Sequence, residues 1–256
     1  MLMPRPILHR HGRVRWVLEQ VLIVLVGVFF YFQVRGLTHA NPSVAEQHAG
    51  EVMDAEGALG LQVEPEVQSP VLAHASLWDL ANWVYVWGHW PVIIGSMVWL
   101  VLHHRHVFLR LRDGMLVSGA IGLVVFVLYP VAPPRLVNAG LVDTVTESSR
   151  AYRYLQPPNF VNQYAALPSL HAGWNLLVGI SVVTAGGTLV VRAIGWTLPF
   201  LMSFAVVATA NHYVLDVLAG VALALLGHAI ALYLERRRTR RAPPRVATHV
   251  LSDRER

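Results

Sequence analysis

The feature that most constrains this 256-residue chain is a series of long apolar segments. A helix needs about 20 mostly apolar residues to cross a bilayer. Six segments meet that requirement, at roughly 16–34, 81–102, 114–132, 170–190, 193–210 and 213–234. Charged residues make up only 14% of the chain, against about 25% in a typical soluble domain. We therefore predict an all-α fold, a polytopic membrane helix bundle with six transmembrane helices.

The distribution of arginine predicts how this bundle is oriented. The chain has no lysine, and its arginines concentrate before the first segment, after the second, between the fourth and fifth, and after the sixth. These four stretches share one side of a six-span bundle, and an excess of basic residues marks the cytoplasmic side. We predict an integral plasma membrane protein with both termini cytoplasmic and with the loops 35–80 and 133–169 outside. The net charge of +5 then belongs to membrane edges, and nucleic acid is not an expected partner.

A histidine and an aspartate stand four residues apart where the last apolar segment begins. On a helix, His212 and Asp216 would lie on one face, one turn apart. The carboxylate of Asp216 would accept a hydrogen bond from one ring nitrogen and leave the lone pair of the other nitrogen for attack. This is the arrangement of an activated nucleophile. A buried pair that only locks two helices together is the alternative.

A second histidine, His171, opens the fourth segment. Ser169 precedes it as a helix cap and is also a candidate substrate-binding residue. The N–H groups of a first helical turn favour an anion. A histidine beside a bound phosphate can donate a proton to the leaving oxygen. The six-span topology places His171 and His212 on the same side, so we expect the two rings to converge at the outer membrane surface.

Arginines are the expected phosphate ligands, because a guanidinium binds phosphate through two parallel hydrogen bonds. Arg135 follows a proline-rich exit from the third segment, and the prolines forbid further helix and favour an extended chain. Arg150 and Arg153 follow in the same loop. Together these three are candidates to stabilise charge in the transition state, whereas headgroup anchoring is the alternative. Two neighbours of His212 are further candidates to orient it or to touch substrate: Asn211 and Tyr213.

Other chemistries have little support. The chain has no cysteine and no apparent nucleotide-binding fingerprint, so we expect no cofactor and no metal. Three histidines near position 105 resemble a metal cluster but fall on the predicted cytoplasmic side, where headgroup contact is the expectation: His103, His104 and His106. His89, among tryptophans in the second segment, is expected to be an interfacial residue, and a place lining the site is the alternative.

Three short motifs in this order resemble the PAP2 phosphatase superfamily, which is related to vanadium haloperoxidases. They read Tyr-Pro-Val-Ala-Pro-Pro-Arg-Leu at 129–136, Ala-Ala-Leu-Pro-Ser-Leu-His at 165–171 and Asn-His-Tyr-Val-Leu-Asp at 211–216. With Glu-Gly-Ala-Leu-Gly-Leu at 56–61 they look most like the inositolphosphotransferase (Aur1/Ipt1-like) branch. The resemblance implies a PAP2/haloperoxidase-like core in which His212 is the nucleophile, Asp216 orients it, His171 protonates the leaving group and Arg135 binds phosphate.

The sequence departs from the phosphatase pattern at three positions. Leu170 stands where the second motif usually has glycine. Leu128 and Val206 stand where the first and third motifs usually have a lysine and an arginine. Two phosphate-binding cations are therefore missing from their expected places. Arg150 or Arg153 is a candidate substitute, and a differently charged substrate is the alternative.

The predicted function is an integral membrane lipid phosphotransferase or phosphatase that cleaves a lipid phosphoester or pyrophosphate through a phosphohistidine at the extracytoplasmic face. The substrate is a membrane lipid phosphate, and the acceptor is water or a hydroxyl group; the sequence separates neither the acceptors nor the oligomeric states. A non-catalytic lipid-binding or transport protein that has kept the fold stays open, as does an enzyme that ionises an isoprenoid diphosphate.

The predicted catalytic domain spans residues 1–235, and residues 236–256 form a basic cytoplasmic tail expected to be disordered. Such tails are drawn to anionic inner-leaflet lipids. Apolar residues recur at helical spacing among acids in the outer loop 35–80 and predict an amphipathic helix on the membrane surface: Val44, Val52, Ala55 and Leu59.

Overall fold

The structure is a computed structural model that describes residues 10–37, 41–137, 140–145 and 162–241. The regular structure of these residues is helical, apart from one isolated parallel bridge between Val131 and Ala165. The helices are α1 (Arg10–Leu37), α2 (Pro42–Leu59), α3 (Glu64–Ala73), α4 (Ala75–Trp87), α5 (Trp90–His103), α6 (Arg105–Leu128), α7 (Leu170–Ala185), α8 (Leu189–Ala208) and α9 (Val214–Arg241), with a 3₁₀ turn at Pro134–Leu136. The predicted all-α fold is confirmed.

Four described helices are long and apolar enough to cross a membrane: α1, α6, α8 and α9. The helices α4 and α5 together form a fifth apolar unit, bent by 48°. The remaining apolar helix, α7, has only 16 residues. These helices account for all six predicted segments, but the count of six spans stays a prediction.

The predicted span 81–102 is not one straight helix, because the chain bends by 48° between α4 and α5. Pro91 lies in the first turn of α5. A proline ring clashes with the carbonyl four residues earlier and has no N–H to donate, so α4 ends at Trp87. His89 lies in this break, directly before α5, and its backbone angles (φ −99°, ψ −89°) are not helical.

The loop 35–80, predicted to lie outside the membrane, contains the helices α2 and α3. Asn41 caps α2 by accepting a hydrogen bond from Ser43 N, and Gly60 ends it with a φ of 67°, a conformation that glycine adopts at little cost. The buried stripe of α2 differs from the predicted one, since Leu59 is 64% exposed. Only one residue of the predicted set, Val52, belongs to the observed stripe: Ala45, Ala49, Val52 and Glu56.

Helices α7, α8 and α9 pack closely because glycines let their backbones approach. A Cβ added at Gly173 of α7 would lie 2.5 Å from the carbonyl oxygen of Gly220 in α9. One added at Gly179 would lie 2.4 Å from the carbonyl oxygen of Gly195 in α8. The close packing holds the starts of α7 and α9 side by side.

The predicted cytoplasmic end differs from sequence expectation in two details. The basic stretch predicted as a loop after the second segment is the first part of α6. There Arg112 and Asp113 are buried and paired at 2.5 Å. Arg238 of α9 reaches Asp113 at 2.6 Å, and α9 continues to Arg241, so the predicted tail boundary at 236 falls within a helix.

Candidate active site

The two candidate catalytic histidines stand at the starts of two neighbouring helices. His171 lies in the first turn of α7, and His212 lies two residues before α9. Their ring centroids are 5.9 Å apart with the planes inclined by 54°. Both line one pocket, together with Arg135, Asn211 and Tyr85. The convergence predicted from the topology is therefore present in the structure.

A backbone carbonyl holds the ring of His212 more closely than Asp216 does. The Nδ1 atom of His212 lies 2.8 Å from the carbonyl oxygen of Ala166 and 3.4 Å from Oδ2 of Asp216. Because both neighbours are acceptors, we assign the proton of neutral His212 to Nδ1, which leaves the lone pair on Nε2. Ala166 was missed by sequence reasoning, since a backbone carbonyl has no residue signature.

Asp216 is fully buried and holds the start of α9. Its Oδ2 accepts a hydrogen bond from Tyr213 N at 2.9 Å, which is shorter than its contact with His212. Its own carbonyl oxygen accepts a hydrogen bond from Ser169 N at 2.8 Å. Asp216 thus fixes the turn that presents His212 and also joins this turn to the start of α7.

Ser169 is not among the residues that line the pocket. Its side chain is fully buried, and its Oγ accepts a hydrogen bond from Ala172 N at 3.4 Å. The predicted role as helix cap is what the structure shows. The predicted contact between its hydroxyl and a substrate has no support from this position.

His171 is held in a stack of rings that the sequence did not reveal. Its ring lies on that of Tyr85, with centroids 5.0 Å apart and planes within 16°, and 4.1 Å from the ring of His89. Asn175 donates to His89 Nδ1 at 3.2 Å and to the His171 carbonyl at 3.0 Å. His89 is only 4% exposed, so its expected place as an interfacial residue is wrong. The spacing of four between Tyr85 and His89 was the available signal.

Arg135 reaches the pocket from the proline-rich exit of α6. Pro133 is extended (φ −67°, ψ 158°), as its sequence context predicted, and a 3₁₀ turn follows. The backbone N–H of Arg135 donates to Ala210 O at 3.0 Å. Its Nε lies 3.2 Å from Oδ2 of Asp143, and the side chain is 13% exposed. The ion pair with Asp143 thus holds the guanidinium of Arg135, which lines the pocket.

The other predicted substrate contacts divide into three groups. Asn211 lines the pocket, where its Oδ1 accepts a hydrogen bond from Tyr85 at 3.2 Å. Tyr213 is only 2% exposed and packs with apolar residues, so the structure gives it no route to a substrate. Arg150 and Arg153 lie outside the described residues.

Within the described ranges, no group of three or more His, Asp and Glu side chains is arranged to hold a metal ion. His103 lies at the opposite end of α5 from the candidate site, and its Nδ1 contacts the carbonyl oxygen of Trp99 at 2.9 Å.

Together, the fold and this pocket define a class. It is a helical membrane protein with two histidines and a buried aspartate where two apolar helices begin, and an arginine in the segment that follows the end of a third. A family model described as PAP2 superfamily matches residues 50–230. This match covers more than half of the chain, which belongs to the PAP2 superfamily. No curated protein matches the sequence.

One solved structure supports the same fold. The crystal structure of Aquifex aeolicus LpxE superposes with a TM-score of 0.52 at 15% sequence identity, covering 68% of this chain and 94% of that one. Together, family and fold support a membrane phosphatase of the PAP2 kind. The narrower inositolphosphotransferase branch stays a prediction.

Proposed function

We propose that this protein is a membrane lipid phosphatase or phosphotransferase that works through a phosphohistidine on His212. One observation carries the proposal. The carbonyl oxygen of Ala166, 2.8 Å from Nδ1 of His212, directs the proton of His212 to that nitrogen. The ring of His171 lies in the same pocket, with its centroid 5.9 Å from that of His212. A nucleophile and a proton donor are thus paired around a space that also receives a guanidinium.

In the first half-reaction, Nε2 of His212 attacks the phosphorus of a lipid phosphoester or pyrophosphate. A nitrogen–phosphorus bond forms as the bond to the leaving oxygen breaks, and protonated His171 gives its proton to that oxygen. Positive charge grows on the imidazole of His212, where Ala166 O and the Asp216 carboxylate stabilise the Nδ1–H group. Arg135 stabilises negative charge on the non-bridging oxygens.

In the second half-reaction, neutral His171 removes a proton from the acceptor, whose oxygen attacks the phosphohistidine and releases His212. Water as acceptor completes a phosphatase reaction, and a lipid or polyol hydroxyl completes a transferase reaction. Family and fold support the phosphatase reaction. The transferase reaction rests on the motif resemblance alone, and exclusion of water would favour it.

The two missing cations leave the phosphate with fewer ligands than the phosphatase pattern provides. Leu128 is 74% exposed at the end of α6, and Val206 is fully buried in α8. Val206 acts through its carbonyl oxygen, which accepts hydrogen bonds from the N–H groups of Asn211 and His212 at 3.0 Å each. In the described part of the chain, the guanidinium that lines the pocket is that of Arg135; Arg150 and Arg153 are proposed to supply the others.

We further propose that the catalytic domain, residues 1–235, lies in the plasma membrane with both termini cytoplasmic and the site extracytoplasmic. The positive-inside distribution of arginine supports this orientation. The basic tail would contact anionic inner-leaflet lipids. A membrane lipid phosphate could then enter the pocket from the outer leaflet.

The test is turnover of purified protein on a panel of radiolabelled lipid phosphates, with His212→Ala alongside. The panel includes polyprenyl phosphate and diphosphate, phosphatidic acid and phosphatidylinositol, each with and without hydroxyl acceptors. The proposal predicts that the wild type releases phosphate or forms a new phospholipid and that the variant does neither. If both proteins bind lipid but are inert, the missing cations favour a non-catalytic headgroup-binding protein, and the enzyme proposal fails.

A further inference from the structure

Two glutamates of the outer helices bind the backbone just after His212. Glu64 Oε1 accepts a hydrogen bond from Val214 N at 3.0 Å, and Glu56 Oε1 accepts one from Leu215 N at 2.7 Å. The first N–H groups of a helix have no acceptor within that helix. With Tyr213 N donating to Asp216, the three amides that follow His212 each end on a different carboxylate.

A third side chain, that of Gln68, binds the backbone before His212. Gln68 of α3 donates from Nε2 to the carbonyl oxygen of Ala208 at 3.0 Å, and also to that of Val142 at 2.9 Å. Its Oε1 accepts a hydrogen bond from Val142 N at 2.9 Å. We name the three side chains that hold the segment 208–215 the polar clamp: Glu56, Glu64 and Gln68.

The side chains of the polar clamp are almost fully buried. Glu56 is fully buried, and Glu64 and Gln68 are 4% and 1% exposed. Burying a carboxylate is costly unless it is hydrogen-bonded, so these side chains are held in place by the amides they bind. Neither glutamate is among the residues that line the pocket.

Glu56 is buried beside two other acidic groups, Glu64 and Asp216. Burial, and after it the charges of these two groups, raise the pKa of Glu56 from 4.5 to about 8, although the hydrogen bond from Leu215 N opposes the rise. Glu56 Oε2 is buried without a hydrogen-bond partner among the described residues. The hydrogen bond from Leu215 N to Oε1 is therefore the contact that holds this carboxyl group.

We propose that the polar clamp positions His212 for catalysis by fixing the backbone of the segment 208–215 from outside the bundle. This inference rests on the proposed function for its kinetic consequence but not for its structural one. A misplacement of a reacting group by about 1 Å costs about a hundredfold in rate. Glu56 and Glu64 are positioning residues, since they act on His212 through the amides that follow it.

The experiment compares variants that differ in one hydrogen bond. Glu56→Ala removes the acceptor for Leu215 N. Glu56→Gln keeps an oxygen acceptor for that amide and removes the carboxyl group that titrates. Glu64→Ala removes the acceptor for Val214 N and serves if Glu56→Ala does not fold. Glu66→Ala, on the exposed side of α3, is the matched control.

Amide hydrogen exchange of the segment 208–215 in detergent micelles measures the clamp directly. A hydrogen bond to a charged group contributes about 1.5 kcal/mol or more and one to a neutral group about 1 kcal/mol, so Glu64→Ala should speed exchange there about tenfold and Glu56→Ala about fivefold. Neither Glu56→Gln nor Glu66→Ala should change it. In turnover assays, the same alanine variants should lower kcat at least tenfold with KM within about twofold, and Glu56→Gln should restore kcat.

The two readouts separate the inference from the proposed function. Unchanged exchange in both alanine variants overturns the clamp. Faster exchange with unchanged kcat in an active enzyme overturns its positioning role. If the wild type is inert on every substrate while exchange responds as expected, the proposed function fails and the clamp stands as a structural device.

Discussion

The substitution Asp216→Asn tests how His212 is oriented, because the structure divides that task between Asp216 and Ala166. At 3.4 Å and an effective dielectric constant of about 20, two unit charges interact by about 5 kcal/mol. About half of the charge on the imidazole develops in the transition state of attack, so loss of the carboxylate should raise the barrier by about 2.5 kcal/mol, which is about a hundredfold in rate.

The same substitution should leave the tautomer of His212 intact. The carbonyl oxygen of Ala166 remains 2.8 Å from Nδ1 and can only accept a hydrogen bond. In the serine protease triad, where the aspartate alone sets the tautomer, the equivalent change costs about ten-thousandfold. The expected loss here is therefore smaller by about two orders of magnitude.

The assay is kcat of Asp216→Asn on the best lipid phosphate, with phosphoenzyme formation followed by rapid quenching. Asp79→Asn, on an exposed position of α4, is the matched control and should keep wild-type rates. A loss of ten-thousandfold or more in a folded variant would refute the role of Ala166. A loss below about threefold would refute the electrostatic role of Asp216.

Three further predictions concern the proton donor, pH and packing. His171→Ala should lower turnover of lipid phosphates about a thousandfold but lower that of p-nitrophenyl phosphate far less, because this leaving group needs no proton; equal losses would contradict the general-acid role. The raised pKa of Glu56 means that the folded state binds an extra proton between pH 4.5 and about 8, so thermal stability should fall as pH rises through this window. The slope should flatten in Glu56→Gln, and an unchanged slope would assign it to other groups. In Gly220→Ala the added Cβ would lie 2.1 Å from the carbonyl oxygen of Ser169, so the melting temperature and kcat should both fall. The control Gly50→Ala, whose added Cβ would have nothing within 4 Å, should change neither. A Gly220→Ala variant that behaves like the wild type would mean that the starts of α7 and α9 are not in tight contact.

The helical bundle and the meeting of its two histidines could be predicted because both follow from local patterns. Apolar segments of membrane length are visible in the sequence, and the arginine-rich stretches alternate with them. Together they place His171 and His212 at one end of the bundle, and the structure brings their rings within 5.9 Å. Proline and serine near His171 also predicted the start of α7 correctly.

The parts that escaped prediction depend on contacts between distant stretches of chain. The ring of His212 is held by the carbonyl of Ala166, 46 residues away, and any residue type offers the same carbonyl. The contact between Glu56 and Leu215 spans 159 residues. A glutamate on an apparently amphipathic helix is expected to face solvent, so its burial against the turn that carries His212 had no signal in the local pattern.

The break between α4 and α5 shows a different limit. The hydropathy of residues 81–102 is that of one continuous span, and Pro91 alone does not say whether a helix bends or stops. The break matters for the site because it gives His89 the place beside His171. Hydropathy averages over the whole segment, so it does not register a change in the direction of the chain.

The most direct test of the central claim is to trap the covalent intermediate. The enzyme is mixed with a radiolabelled lipid phosphate, quenched in base within the first turnover, digested and mapped by mass spectrometry. The account predicts one phosphate on the peptide that contains His212, formed at least as fast as kcat and absent from His212→Ala. Turnover by the wild type without any phosphoenzyme, or with phosphate on another residue, would contradict it.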